Sequence, residues 1–270
     1  MRLATWNVNS IRARSEQVVS WMTRHAIDVL AMQETKCRDD QFPVMSFLAE
    51  GYDVALHGDG GYNGVAIASR IGLDDVHRGF DGQPSLRPGE APEARAISAT
   101  CGGVRVWSLY VPNGRAVDDP HYAYKLSWLE ALAGVTRLEL GHDPAAQIAL
   151  AGDWNVAPTD DDVFDRDFFS GRTHVTDPER AAFGEFLDAG YLDSARPFAP
   201  GPGVYTFWDY TAGRFAKNEG MRIDFALCSP ALDDRIFDAF IDTDARAADG
   251  ASDHAPLVLD LSSPAFPIEL

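Results

Sequence analysis

The sequence predicts a two-sheet α/β sandwich with helices on the outside, and three observations carry that prediction. Short apolar runs bounded by Gly, Pro or Asn recur along the chain, as buried strands do. Between them lie stretches with apolar residues at helical spacing. Gly102-Gly103 then joins two consecutive runs as a hairpin would, so the sheets are at least partly antiparallel.

Taken in order, the first strand is Arg2-Leu3-Ala4-Thr5-Trp6, ending on Asn7. A helix over Arg14–His25 places Val18, Met22 and His25 on one face. Val29–Met32 and Gly64–Ser69 are strands, and Asp81–Pro92, rich in Gly and Pro, is a surface loop inside the domain. Arg95–Cys101 and Val104–Leu109 form the hairpin. Pro120–Leu140 carries Trp128, Leu132 and Val135 at the spacing of an amphipathic helix lying on a sheet. Ile148–Ala151 is the next strand. Asp177-Pro178 opens a third helix with an N-cap acid and a first-turn Pro, and Gly190 closes it after Phe183, Phe186 and Leu187. Ile223–Leu227 and Leu257–Leu261 are the last strands. Trp6-Asn7-Val8 is echoed by Trp154-Asn155-Val156, each at the end of an apolar run, as an ancient duplication would leave them.

A chain of 270 residues can bury roughly three quarters of its unfolded surface. No linker divides it, so a single domain is expected over residues 1–261, with a tail at 262–270. There is neither an apolar run long enough to span a bilayer nor a signal-peptide pattern, and a soluble cytoplasmic protein is expected. Cys37, Cys101 and Cys228 are odd in number and widely spaced, which argues against a disulfide frame or a zinc site. Cys101 and Cys228 sit in apolar runs and read as small core residues. A net charge of −18 points away from nucleic acid when summed over the surface, but a binding face is local and a metal site requires carboxylates. The short acidic clusters Asp118-Asp119 and Asp160-Asp161-Asp162 read as solvated loops or helix starts.

The polar residues at the ends of the apolar runs carry the chemistry. Asn7, Glu34, Tyr110, Asn113, Asp153 and Asn155 each lie at or just beyond the C-terminal end of a run, so strand ends aligned on one rim would pool carboxylates, amides and a phenol. Such an inventory suits a divalent metal and a phosphate ester. Glu34 follows Asp28-Val29-Leu30-Ala31-Met32-Gln33, and a charge directly after a buried strand must be solvated or coordinated. In Gly152-Asp153-Trp154-Asn155 a carboxylate beside an amide can move a proton and hold an oxyanion, although an Asx turn accounts for the tetrapeptide equally well. In Ser252-Asp253-His254-Ala255-Pro256 the His follows an acid, and Asp224 is the partner expected to orient its ring. There is no Gly-x-Ser-x-Gly elbow, phosphate loop or dinucleotide fingerprint.

Together these segments resemble a known family. Thr5-Trp6-Asn7-Val8-Asn9, Gln33-Glu34-Thr35-Lys36, Tyr110-Val111-Pro112-Asn113-Gly114, Gly152-Asp153-Trp154-Asn155-Val156-Ala157-Pro158, Tyr205–Tyr210, Gly220–Asp224 and Ser252–Pro256 occur in the order seen in exonuclease III-type apurinic/apyrimidinic endonucleases of the endonuclease/exonuclease/phosphatase superfamily. The resemblance implies a four-layer α/β sandwich with two mixed, mainly antiparallel sheets. It also implies a monomeric, Mg²⁺-dependent enzyme, with Mn²⁺ able to substitute. Such an enzyme cleaves the backbone of double-stranded DNA 5′ to abasic sites and trims 3′-blocked ends.

By the same motifs, Glu34 is the main metal carboxylate, with Asn7, Asn9 and Asp253 near the metal. Asp153 handles the attacking water or the leaving group, Asn155 and His254 bind the scissile phosphate, and Asp224 orients His254. Tyr110 contacts the phosphate or leaving oxygen, with Asn113 beside it. Phe207, Met221 and Ile223 match an apolar slot for the extruded sugar, Met221 departing from the aromatic or Leu of relatives; Trp208, adjacent, reads as core. Arg115, Lys125, Lys217 and Arg222 are candidates for backbone contacts. The alternative enzyme is a phosphodiesterase of the same superfamily acting on a phospholipid or sugar phosphate, against which the absence of a membrane anchor counts. The alternative from another class is a catalytically inactive DNA- or protein-binding relative. The joint presence of Glu34, Asp153, Asn155, Asp224 and His254 argues against it.

Overall fold

A computed structural model describes residues 1–263. Its strands are β1 (Arg2–Asn7), β2 (Val29–Gln33), β3 (Asp53–His57), β4 (Val65–Ser69), β5 (Asp74–Arg78), β6 (Ala96–Cys101), β7 (Val104–Tyr110), β8 (Ile148–Asp153), β9 (Leu192–Asp193), β10 (Asp224–Cys228), β11 (Ile236–Ile241) and β12 (Leu257–Leu261). They form two six-stranded sheets, ordered β11-β12-β1-β2-β4-β3 and β5-β6-β7-β8-β10-β9. In each sheet one central pair is parallel, β1 with β2 and β7 with β8, and the other pairings are antiparallel. Strands β12-β1-β2-β4-β3 and β10-β8-β7-β6-β5 therefore repeat one pattern of strand direction, although the chain passes through them in different order, β1 preceding β2 whereas β8 follows β7. The two halves of the Trp-Asn-Val echo fall at the ends of β1 and β8.

Small and β-branched residues fill the space between the sheets, among them Val29, Ala31, Ile67, Ile97, Val106, Ala149, Ala151 and Cys228. Sheets can approach closely there because, among the described residues of this layer, the only ring is that of Tyr110, which packs against it. The bulky side chains face outward from the sheets and bury against helices. Helix α1 (Ile11–Arg24) covers the first sheet through Val18 and Met22 against Trp6, Leu30 and Met32. After the short α2 (Val44–Leu48), α3 (Pro120–His142) and α4 (Asp177–Asp188) cover the second sheet through Trp128, Leu132, Phe183 and Phe186. Two short helices, α5 (Pro230–Asp233) and α6 (Thr243–Ala247), flank β11. The result is the expected α–β–β–α sandwich.

Several details differ from expectation. Helix α1 begins at Ile11, three residues before Arg14, and His25 is its half-buried C-cap rather than a face residue. The N-cap of α4 is Thr176, in a capping box with Glu179, so Asp177 is the first helical residue. Strands β3, β5, β9 and β11 lie at sheet edges and carry mixed or wholly exposed faces, so they lack the apolar run that marks a buried strand. Gly102 and Gly103 do form the tight turn of the β6–β7 hairpin, both at positive φ (55° and 83°). Among the described residues no helix is long and apolar enough to cross a membrane. Of the expected tail, 264–270 lie outside the described residues.

Candidate active site

The sheet registers bring the predicted strand-end residues to one rim. Asn7 pairs with Gln33 across β1 and β2, which places Glu34 beside it. Tyr110 pairs with Asp153 across β7 and β8, and Asp153 with Asp224 across β8 and β10. Asp224 begins its strand whereas Asp153 ends its own, and their antiparallel pairing is what brings them together. Gly152 lies within β8 because a Cβ there would stand 2.0 Å from the Leu109 carbonyl oxygen. The two central strands could not otherwise close on each other at this rim. Asn9, Ser10, Glu34, Lys36, Asn155 and His174 all hold left-handed φ between 42° and 83°. Such backbone strain concentrates where side chains must be aimed.

Asn7 donates through Nδ2 to Glu34 Oε1 (2.8 Å) and Asp153 Oδ2 (3.0 Å), so it ties carboxylates of the two sheets together. Its own Oδ1 accepts from the Asn9 backbone N–H (3.0 Å), so Asn7 organises the carboxylates at the position expected near the metal. Asp153 Oδ1 accepts from the Asn155 N–H at 2.9 Å. The Asx turn is therefore formed, while Oδ2 remains directed at Asn7 and His254. His254 Nδ1 donates to Asp224 Oδ2 at 2.8 Å, and its Nε2 stands 3.8 Å from Asp153 Oδ2. Lys36 Nζ bridges Glu34 Oε2 and Asn9 Oδ1, both at 2.6 Å, and Asn9 Nδ2 donates to Asp253 Oδ1 at 3.0 Å.

Burial and charge set the protonation states. Burial, reinforced by Asp224 and Glu34 and opposed by His254, pushes the Asp153 carboxyl up to about 7. Burial disfavours the charged His254 ring, but Asp224, with Asp153 and Asp253 behind it, overrides this and raises the imidazole to about 10. Burial also opposes ionisation of Glu34, yet the Lys36 ammonium and the Asn7 hydrogen bond hold its carboxyl below the usual range. The Tyr110 phenol is held well above its ordinary value by burial, then by Glu34 and Asp153. The Arg95 guanidinium, 4.8 Å from the centre of its ring, works in the opposite sense.

Oxygen or nitrogen atoms of Glu34, Asp153 and His254 all come within 4.8 Å of one another, and of the three the two carboxylates can offer oxygens to a cation. The donors are mostly hard oxygens, and Glu34 and Asp224 add negative charge around Asp153 to the effect of its burial. Both features fit a divalent cation such as Mg²⁺.

The sequence as a whole agrees with the site. Residues 4–254 match the endonuclease/exonuclease/phosphatase family. The chain belongs to that family. An exodeoxyribonuclease of Bacillus subtilis is 33% identical over 264 residues, covering 96% of this chain and 98% of the relative. The solved structure of an AP endonuclease from Archaeoglobus fulgidus superposes with a TM-score of 0.91 at 37% identity, covering 97% of this chain and 100% of that one. A 3′ phosphatase of Neisseria, solved with a product DNA hairpin, gives a TM-score of 0.91 at 36% identity with the same coverage. The resemblance to exonuclease III-type enzymes is borne out, and with it the expectation of a nuclease.

Beside the family's rim lies a cavity of about 180 Å³ of mixed character, lined by Phe164, Phe168, Phe169, Phe207 and Met221 together with the polar Arg172, Asp209, Thr211, Arg214 and Glu219. The Phe207 ring packs 4.9 Å from that of His254, which ties the cavity to the rim. Ile223, 2% exposed, packs behind the cavity and does not line it. Trp208 is core, its Nε1 donating to Asn218. Phe164, Phe168 and Phe169 escaped the motif reading, although three Phe within six residues of an otherwise charged loop are a compositional signal.

Arg115 and Lys217 are exposed, as a DNA contact requires, and Asn113 is exposed with its Nδ2 donating to Asn155 Oδ1 at 3.0 Å. Arg222 is not available in this way. It is 4% exposed, its Nε and Nη1 bond Asp162 (2.6 Å) and Asp193 (2.7 Å), and its guanidinium covers the Phe225 ring. Asp162, expected on a solvated loop, is consequently fully buried in a 3₁₀ turn, where Arg196 also reaches it. Lys125 is fully buried too, paired with Glu179. Sequence reasoning missed His174, whose Nε2 lies 3.0 Å from Asn155 Oδ1 and whose imidazole is pushed down to about 3 by burial and then by Lys125. It is a neutral donor to the Asn155 amide oxygen.

Proposed function

We propose that this nuclease hydrolyses the DNA backbone 5′ to abasic sites with the aid of Mg²⁺, or Mn²⁺ in its place, and also trims blocked 3′ ends. Residues 1–261 act as one catalytic unit, since each sheet is built from segments distant in sequence. The observation that carries the reading is Asp153, a fully buried carboxylate poised near neutrality between Asn7 and the imidazolium of His254. A group with a pKa near working pH is the best compromise for general acid–base work.

In this reading Glu34 holds the cation, with Asn9 and Asp253 alongside it. A divalent ion bound there neutralises phosphate charge and makes water more acidic. Asp153 takes the proton of the attacking water. His254, fixed by Asp224, presents Nε2–H to a phosphate oxygen, and Asn155 supplies a second donor. Tyr110, whose phenol stays protonated, donates to the phosphate or the leaving oxygen. The cavity beside Phe207 receives the sugar that lacks a base, and a full nucleotide overfills it. The reading of DNA rather than a phospholipid or sugar phosphate rests on the relatives, which are exodeoxyribonucleases and AP endonucleases by name.

The test incubates the protein and Mg²⁺ with a duplex carrying one abasic analogue, a duplex ending in a 3′ phosphate, an intact duplex and a phospholipid. Incision 5′ to the analogue and removal of the 3′ phosphate are expected, with the lipid untouched. Cleavage of the phospholipid with both lesion duplexes intact would replace this reading by the lipid one.

A further inference from the structure

We propose that the buried Lys125–Glu179 pair is a positioning device for the phosphate site, holding the backbone of Asn113 and Asn155 so that their side-chain amides stay aimed at the scissile phosphate. The inference rests on the reading of those amides given above. Glu179 completes the capping box of α4, its Oε2 accepting from the Thr176 N–H (3.1 Å) and Oγ1 (2.8 Å). A Gln would serve the cap equally well and need no buried cation. Replacing a buried ion pair by apolar side chains is often neutral or stabilising, so helix stability does not explain the charge on Lys125.

What the ammonium reaches beyond Glu179 does explain it. Lys125 Nζ lies 2.5 Å from Glu179 Oε1, 2.6 Å from the Asn155 carbonyl oxygen and 3.3 Å from that of Asn113. These carbonyls belong to two loops, one after β7 and one after β8. Glu179 Oε1 gathers a third, accepting from the His174 N–H (2.9 Å) and standing 2.5 Å from Thr173 Oγ1, which is itself 3.1 Å from the Asn113 carbonyl. Asn155 sits at φ 50°, a left-handed conformation that turns its carbonyl inward to Lys125 and its amide outward to the rim. The Asn155 amide is then fixed on every side: Nδ2 donates to the Val111 carbonyl, and Oδ1 accepts from Asn113 and His174. Crowding at Gly114, where a Cβ would meet Thr173 Oγ1 at 2.7 Å and Lys125 Cδ at 3.2 Å, shows how closely the loop is drawn onto the pair. Neither Lys125 nor Glu179 is accessible to substrate, so any effect on catalysis passes through the two asparagines.

The test combines Lys125→Met with Glu179→Gln in the full chain, which removes both charges and leaves the capping box a partner. In single-turnover cleavage of the abasic duplex, a rate loss of about 10- to 100-fold is expected, the scale on which misplacing a positioned group acts. KM should be unchanged, and the Asn113 and Asn155 side-chain amide resonances should shift along with those of Thr173, His174 and Thr176, which touch the pair directly, while the NMR spectrum elsewhere stays in place. Introduced into Asn113→Ala/Asn155→Ala, the same pair change should cause no further loss, because the groups it acts through are gone. An undiminished rate in the folded pair variant, or an equal loss on the asparagine-free background, overturns the proposal. Should the pair variant not fold, Thr173→Val serves in its place. A smaller rate loss, absent on the Asn113→Ala background, is then expected, and a loss persisting on that background is the overturning result. Unaltered cleavage by Asn113→Ala/Asn155→Ala itself overturns the phosphate-site assignment and the positioning role with it.

Discussion

Asp224→Asn is the most informative single change, because it alters one charge while preserving shape. Burial alone drives the His254 imidazole down, and Asp224 at 2.8 Å is the largest influence that reverses this. The rise from 6.5 to about 10 corresponds to about 5 kcal/mol of preference for the imidazolium, an order-of-magnitude figure. A raised folded-state value means that this stabilisation is complete below pH 6.5 and disappears as pH climbs through 10. Asp153, pushed up to about 7, loses its own contribution as pH rises from 3.8 through that value, and the buried Cys101 and Cys228 thiols begin to lose theirs only above their ordinary 9.0, so measurements between neutrality and 9.0 isolate the histidine.

Urea unfolding with a metal chelator present, repeated from neutral to alkaline pH, should show wild-type stability falling along this interval. In Asp224→Asn the fall should be largely absent, and the variant should be the less stable protein at neutral pH. The His254 ring should titrate below 6.5 in the variant, since burial then acts with little opposition. Abasic cleavage at neutral pH should drop on the order of 10²–10⁴-fold, as when the orienting acid of a catalytic His is neutralised. A wild-type His254 titrating near its ordinary value, or equal pH slopes in the two proteins, would refute the reasoning.

Glu34→Ala should leave duplex affinity nearly intact but raise the Mg²⁺ needed for half-maximal cleavage, with partial rescue at high Mg²⁺; unchanged activity at limiting Mg²⁺ removes Glu34 from the site. Asp153→Asn should fold and bind yet lose cleavage by on the order of 10²–10⁴-fold, and near-normal turnover would mean that this carboxylate only shapes its turn. Arg222→Met should lower stability by about 3–5 kcal/mol in urea unfolding, because Asp162 keeps a buried charge with one partner gone. Fluorescence anisotropy of the folded variant should show unchanged affinity for abasic duplex, and a marked loss would return Arg222 to the DNA face.

The rim was legible because its signal is one-dimensional. A polar residue directly after a buried apolar run must be solvated, paired or coordinated, and Asn7, Glu34, Tyr110 and Asp153 each stand in that position. Strand order then does the rest: the parallel pairs β1–β2 and β7–β8 align like ends, and antiparallel β10 returns Asp224 to the same edge. The misreadings share one cause. Arg222, Asp162 and Lys125 look solvent-bound in sequence because a charge gives no sign of its partner, and each finds that partner across a long stretch of chain: Asp162 for Arg222, Glu179 for Lys125. His174 and the Phe164–Phe169 segment lie in the long connection from β8 to α4, where no periodicity indicates which side chain faces the rim. Residues at strand ends are placed by the sheet and can be read from pattern. Residues in this connection are placed by individual contacts, so the cavity wall and the support of Asn155 emerged only with the fold.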